Sequence, residues 1–474
     1  MAVDRPFRIV VIGGGVTGLT ASHVLSKAGI DHVVLERGQE AAPPSGASIA
    51  IYPHGARILE QIGCLDEMLK ITSPMERYVN RRPDGTVVME RDFWPQIQRN
   101  HGYTLMFFER RGFLQCLYDQ LPDKSRVLLG KNVIRIKETP DEVEVFLADG
   151  TSQKGDIIIG CDGIHSLARQ AMWDNADRIS PGLITMKDRK AMMTSWTCLL
   201  GMAPPIPGMR NEFSAVHNDG YSFLLGKQED RTFFFVFRRV KKPYSQYTRP
   251  RWTAEDADAA AAAVADHPIT ENLVFADLWR RRYRAQIVDI EEGILPHWFF
   301  GRTVLVGDAA HKITPNIAFG GNSGMESIVL LTNLLNRLLA ANPNTKPSSA
   351  TLRSIFQQYQ DQRVPRMEKV MKFSNLITRM QAWDGGLMKF LALWILPYQM
   401  KETLAASIGD IVKGAEKLDF VPLKKRPSKI KWDDDVSASN MGTKGWAERK
   451  SWILGLSVVV VSVLWTFAPS GLKF

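Results

Sequence analysis

The sequence predicts an α/β protein: a doubly wound dinucleotide-binding unit split by a mixed β-sheet unit, then C-terminal helices and a membrane anchor. Three observations predict it. A glycine run follows an apolar strand at the N-terminus, a buried strand ending in Gly307-Asp308 returns far downstream, and an uncharged apolar stretch lies near the C-terminus.

The glycine run is Gly13-Gly14-Gly15-Val16-Thr17-Gly18, directly after the apolar residues 7–12. A strand that turns into a phosphate-binding helix needs a glycine for the tight turn, one for backbone approach to a pyrophosphate, and one for close helix packing. Gly13, Gly15 and Gly18 occupy those places, and the helix they open aims N–H groups and a positive dipole end at a phosphate. Val33-Val34-Leu35-Glu36 ends the next strand with a carboxylate placed to accept the ribose hydroxyls of an adenosine.

At 474 residues and 45% hydrophobic content, the chain has enough apolar material for a large core divided into two or three units. Its net charge of +10 is dispersed, apart from Arg280-Arg281-Arg282-Tyr283-Arg284 and residues 424–431. No nucleic-acid motif accompanies these, so they read as a solvated helix face and a membrane-proximal basic segment, and nucleic acid is not expected as a partner. Cys64, Cys116, Cys161 and Cys198 are widely spaced, which fits reduced thiols and no metal site.

Along the chain, residues 1–179 form the first part of the dinucleotide-binding unit, with a helix near 55–62, strands near 127–129, 133–137 and 143–147, and a buried strand at 156–160. Residues 180–290 alternate and are rich in aromatics, which predicts the mixed sheet. Residues 291–345 complete the dinucleotide-binding unit. Residues 346–420 carry C-terminal helices, with an amphipathic pair broken near Pro365. Within them, 387–398 is apolar but too short to span a bilayer, and either core packing or the membrane interface suits it. Residues 421–450 read as a flexible linker. Residues 451–469 read as the membrane helix: 452–468 is uncharged and reaches roughly 25 Å as a helix. Trp452, Trp465 and Phe467 lie near its ends, preceded by Arg449 and Lys450. No room for a secretory leader precedes the first strand, so the catalytic body is expected on the cytosolic side, with the endoplasmic reticulum as the expected membrane.

Two further motifs, Asp162-Gly163-Ile164-His165-Ser166-Leu167-Ala168-Arg169 and Gly307-Asp308-Ala309-Ala310-His311 continuing to Pro315, Gly320-Gly321-Asn322 and Glu326, resemble the flavin-dependent aromatic-hydroxylase-like monooxygenases, the family of para-hydroxybenzoate hydroxylase and squalene epoxidase. The resemblance covers about residues 8–366 and implies a Rossmann-type FAD domain with an inserted substrate domain. It also implies that Asp162 lies near the pyrophosphate, that Asp308 bonds the ribityl chain, and that the turn at Gly321 offers N–H groups to the flavin ring. More narrowly, Gly46-Ala47-Ser48-Ile49, Glu109-Arg110-Arg111-Gly112-Phe113-Leu114 and Tyr359 to Arg366 resemble fungal epoxidases acting on prenyl chains in indole-diterpene and meroterpenoid pathways. On that resemblance Arg111 sits against the flavin, with Arg110 as the alternative. Ala50 stands where the family has glycine.

The resemblance implies FAD as cofactor, with NADPH and O2 as co-substrates and a prenylated small molecule as the acceptor of one oxygen atom. No second glycine fingerprint offers a separate NADPH site. Tyr221 is a candidate hydrogen-bond donor to substrate, with a core role as the alternative. His311 reads as a structural residue at a helix start. Trp196, Phe223, Phe235 and Phe237 either line an apolar pocket or fill the sheet core. An aromatic ring hydroxylase of the same fold, or a flavin carrier that does not oxygenate, remains the alternative to an epoxidase.

Overall fold

The computed structural model describes residues 6–44, 46–343 and 345–435. The chain divides into a unit of residues 1–430 and a second of 431–474. Of the second unit only 431–435 are described, so the expected membrane helix at 451–469 lies outside the described residues. Among the described residues, no helix is long and apolar enough to cross a membrane.

Six strands make the first sheet of the larger unit, in the order Phe299–Phe300, Thr303–Leu305, Ile157–Gly160, Arg8–Ile12, Asp31–Leu35 and Val127–Leu128. All neighbours are parallel except the outermost pair at Phe299–Phe300. Ile9, Val10, Val11, Ile157, Ile158 and Ile159 are fully buried. That is the continuous apolar reading expected of strands covered on both faces. The glycine run leads from Arg8–Ile12 into helix α1, Val16–Lys27, and Ser166 caps helix α2, Leu167–Ile179, by accepting the Arg169 N–H at 2.8 Å.

The second large sheet has eight strands: His311–Lys312, Arg284–Ile294, Met193–Ala203, Thr232–Ser245, Tyr221–Lys227, Glu212–His217, Arg77–Arg81 and Val87–Arg91. It is therefore not confined to 180–290. Arg77–Arg81 pairs in parallel with Glu212–His217, so a hairpin far upstream completes one edge, and the segment after Asp308 completes the other. Such pairings between distant residues leave no local signal.

The two faces of this sheet have different neighbours. Leu199, Val216, Phe223, Leu225, Phe234 and Val236 pack with Ala257, Ala261, Phe275 and Leu278 of the outer helices Ala254–Ala262 and Phe275–Arg280. Trp196, Cys198, Ala215, Leu224, Phe237 and Ile290 pack instead with Ala382 and Tyr78 on the inner face. Period-two alternation assigns each side chain to one layer.

Two long helices finish the unit: α3, Phe319–Ala341, and α4, Ser349–Gln381. The expected break near Pro365 does not occur, because α4 runs through it. A proline inside a helix removes one hydrogen bond at a cost of about 3 kcal/mol, and tertiary contacts flank this one. Arg363 and Arg366 both pair with Glu326 of α3, at 3.1 and 2.6 Å, which holds α4 on either side of Pro365.

The expected linker also starts later than residue 421. Gln61 donates to the Val421 carbonyl at 2.7 Å, Arg426 pairs with Glu60 at 2.6 Å, and Lys429 and Ile430 bond the carbonyls of Arg99 and Asn100. Its polar composition hides these backbone pairings from a sequence reading.

Candidate active site

Helices α1 and α3 meet through glycines. A Cβ on Gly307, whose φ is +66°, would fall 2.7 Å from Thr17 Oγ1, and one on Gly324 would fall 2.4 Å from the same atom. Both helices begin without a side-chain cap, so their first N–H groups have no intrahelical acceptor and none from a capping side chain. Gly13 and Gly18 have no room for a side chain: a Cβ would lie 2.6 Å from the Cys161 carbonyl oxygen and 1.8 Å from that of Gly13. Gly15 and Gly320 differ. A Cβ on Gly15 would meet only Arg110 Nη2, at 3.9 Å, and one on Gly320 nothing within 4 Å.

Charged side chains surround this opening. Glu36 accepts the Gly14 N–H at 2.6 Å and the Gly38 N–H at 2.7 Å, which fixes its carboxylate at the head of α1 and leaves each oxygen a second lone pair. Arg110 is held down in pKa by burial, against the attraction of Asp308 and Glu36. Asp308 accepts from Lys312 Nζ at 2.6 Å. Burial opposes the Lys312 charge, but Asp308 and Glu291 outweigh it and hold its pKa above the ordinary lysine range.

The arginine beside Gly15 is thus Arg110. Arg111 is half exposed and faces Glu40 across 3.7 Å on the surface. Gly46, at φ +76°, makes way for Arg110, because a Cβ there would fall 3.0 Å from Arg110 Cδ. Neighbouring side chains on a helix point about 100° apart, so the two adjacent arginines face different surroundings.

Asp162 is engaged with helix α2. It accepts from Ser166 Oγ at 2.6 Å and from the N–H groups of Leu167 and Ala168 at 2.7 and 3.0 Å, so it caps the helix that Gly163 turns into. Ala50 is buried, and its carbonyl accepts from Asn322 Nδ2 at 2.9 Å. Asn322 Oδ1 also takes the Tyr52 N–H at 3.0 Å, so one side chain fastens strand Ser48–Ile51 to the start of α3. Gly321 packs on Ile49, whose Cδ1 would lie 2.8 Å from an added Cβ. His311 is buried, contacts Ser327 Oγ at 3.1 Å and packs on Trp298.

Tyr221 shares its sheet face with Phe223 and Leu225 and meets the outer helical layer, where its hydroxyl contacts Asn218 and His267. Trp196 and Phe237 lie on the inner face, with Phe235 packed beside them, whereas Phe223 lies on the outer one.

A polar network that the sequence did not reveal occupies the inner side. Gln381, at the end of α4, donates to Tyr78 Oη at 3.0 Å and accepts from Asn316 Nδ2 at 2.7 Å. Burial pushes the Tyr78 hydroxyl up to about 12 and His217 down to about 4. Both are neutral near pH 7. From Tyr78 an aromatic path runs through Trp94 and Tyr52 to Phe319, the first residue of α3, with Tyr52 stacked on Phe319 at 4.5 Å.

A family described as "FAD binding domain" matches residues 7–374. The chain is 40% identical over 438 residues to the FAD-dependent monooxygenase DEP2 of Alternaria brassicicola, covering 91% of this chain and 82% of that protein. The chain belongs to the FAD-dependent monooxygenases. The monooxygenase nvfK of Aspergillus novofumigatus is 34% identical, with 98% of each chain covered. Klebsiella pneumoniae HpxO, solved with FAD and uric acid, shares the fold at a TM-score of 0.69 and 23% identity, covering 86% of this monooxygenase and 96% of that chain.

FAD fits the opening described here. The space that Cβ atoms on Gly15 and Gly320 would enter, the uncapped starts of α1 and α3, and the buried Arg110 beside Gly15 suit a long anionic dinucleotide. Among the described residues of this monooxygenase, no group of His, Cys, Asp and Glu could hold a metal ion.

Proposed function

We propose that this monooxygenase uses NADPH and O2 to epoxidise an isoprenoid chain of a meroterpenoid or indole-diterpene intermediate of fungal secondary metabolism, and that residues 451–469 tether it to a membrane. The observation that carries the reading is the character of the inner sheet face. Trp196, Leu200, Leu224, Phe235, Phe237 and Val288 line it, and Tyr78 and His217 beside them are neutral.

Reduced FAD supplies the activated oxygen when bound. Arg110, Asp308 and the starts of α1 and α3 are the groups that would hold it. The apolar face excludes water and accommodates a hydrocarbon chain, with transfer worth about 0.8 kcal/mol per buried methylene. Tyr78 keeps its proton and, fixed by Gln381, is oriented as a hydrogen-bond donor. Ring hydroxylation would instead need a base to ionise a phenol, and a histidine with a pKa near 4 is a poor one.

Incubating the full-length protein with NADPH and a prenylated quinol or indole tests this. Faster NADPH oxidation with a product one oxygen heavier at an alkene is expected. Oxygen delivered to the aromatic ring, or oxidation with no oxygenated product across both substrate classes, would refute it.

A further inference from the structure

The segment after α4 splits its side chains between two environments. Trp383, in the left-handed region at φ +43°, turns the chain into consecutive helical turns at Gly386–Phe390, Leu391–Ile395 and Leu396–Tyr398. Leu391 and Ala392 point inward against Met380 and Trp383. Leu387, Phe390, Trp394 and Tyr398 are 41, 45, 61 and 76% exposed, and Met400 beyond them 67%. Spacings of three, four and four residues place the first four on one stripe. Of the other exposed large apolar side chains, Ile134 and Val87 stand singly, and Leu69 with Ile71 and Ile179 with Leu183 and Met186 form smaller groups without an exposed tryptophan or tyrosine.

The surroundings indicate the partner. Aspartates near the stripe already have cations: Asp219 takes Lys389, Asp92 takes Lys401, and Asp384 takes Arg239. The strand that supplies Arg239 also exposes Lys241 and Lys242 beyond it. Arg91 donates to the Pro397 carbonyl at 2.8 Å and steadies the far end of the stripe. An apolar stripe with tryptophan and tyrosine, bordered by lysine and arginine, matches a bilayer interface: rings at headgroup depth, aliphatic groups below, and cations facing anionic lipid.

We propose that residues 386–400 dock on an anionic bilayer surface as an in-plane helical segment, separately from any tether at the C-terminus. This does not depend on the substrate reading. It would set the inner sheet face, which packs on Ala382 immediately before the turn, close to the lipid from which a greasy substrate arrives.

The test uses the full chain with Cys116→Ser, leaving the three buried cysteines, and a polarity-sensitive fluorophore on Trp394→Cys. Ile134→Cys, equally exposed on another part of the unit, is the control. Flavin absorbance reports that each variant is folded. On vesicles of phosphatidylcholine and phosphatidylserine containing doxyl-labelled lipid, the label at 394 is expected to shift to the blue and lose most of its emission, while that at 134 is unchanged. Three results would overturn the proposal: equal quenching at both positions, no quenching at 394 on vesicle-bound protein, or a blue-shifted label at 394 before lipid is added, which would mean that protein covers the stripe.

Discussion

A Cβ placed on Gly15 would stand 3.9 Å from Nη2 of Arg110, so this arginine faces the one wall of the glycine turn that has space. The turn alone offers N–H groups and a dipole. Arg110 adds a full charge that the carboxylates of Asp308 and Glu36 attract.

Arg110→Ala is therefore expected to weaken FAD binding by roughly tenfold or more, the scale of losing a hydrogen bond to a charged group. Arg111→Ala, which removes an exposed pair, is expected to cost under about 1 kcal/mol. Titration of the apoproteins with FAD by flavin fluorescence separates the two. Equal losses would refute the assignment.

Asp308→Ala is expected to lower FAD retention by a similar factor, through loss of an acceptor worth about 1.5 to 3 kcal/mol. Asp308→Asn, which keeps an acceptor but leaves Lys312 beside a neutral amide, should fall between the two. Full flavin occupancy in purified Asp308→Ala would rule out the role.

Glu326 and Arg363 form an ion pair with both side chains 1% exposed. Glu326→Ala leaves two arginines without their partner and is expected to destabilise the protein by about 3 to 5 kcal/mol. Arg426→Ala, which breaks a more accessible pair, should cost about 1 kcal/mol or less. Thermal unfolding of the two variants gives the comparison, and similar melting temperatures would contradict it.

Tyr78→Phe is expected to change the product distribution or lower kcat severalfold without loss of FAD, less than the roughly 10²- to 10⁴-fold of a group that transfers the proton in the transition state. Tyr221→Phe should leave both unchanged, because its hydroxyl faces the outer helices. A larger effect at Tyr221 would reverse the assignment of the two faces.

Acid sensitivity follows from buried groups of two kinds. His54, His311 and His217 are held by burial at about 3, 3 and 4. The unfolded chain then binds more protons than the folded one below the ordinary histidine value of about 6.5, and stability declines as pH falls through that value. Burial would raise Glu326, but Arg366 and Arg363 outweigh it and bring it down to about 2. Its contribution is complete above about 4.5 and is lost as pH falls toward 2. Melting temperatures from pH 7 to pH 3 should decline in two stages, and a flat profile down to pH 4 would contradict the histidine part.

Legibility tracked locality. The strand–glycine–helix turn at Gly13 to Gly18, the carboxylate of Glu36 and the Gly307-Asp308 turn were readable because each depends on neighbours within a few residues. The choice between Arg110 and Arg111 was not, since it depends on how helix Arg110–Asp119 rotates against Gly46. The role of Gln381 left no local trace, because both its partners, Tyr78 and Asn316, are distant in sequence.

By itself the sequence determined the family, the cofactor and the glycine turns at 13–18 and 307, since glycine positions and strand ends are fixed by local stereochemistry. Only the tertiary structure decided which arginine stands beside Gly15, that Tyr221 meets the outer helices, that α4 continues through Pro365, and which side of residues 386–400 is left bare. Those outcomes depend on rotation of one element against another, and packing between distant segments sets that rotation.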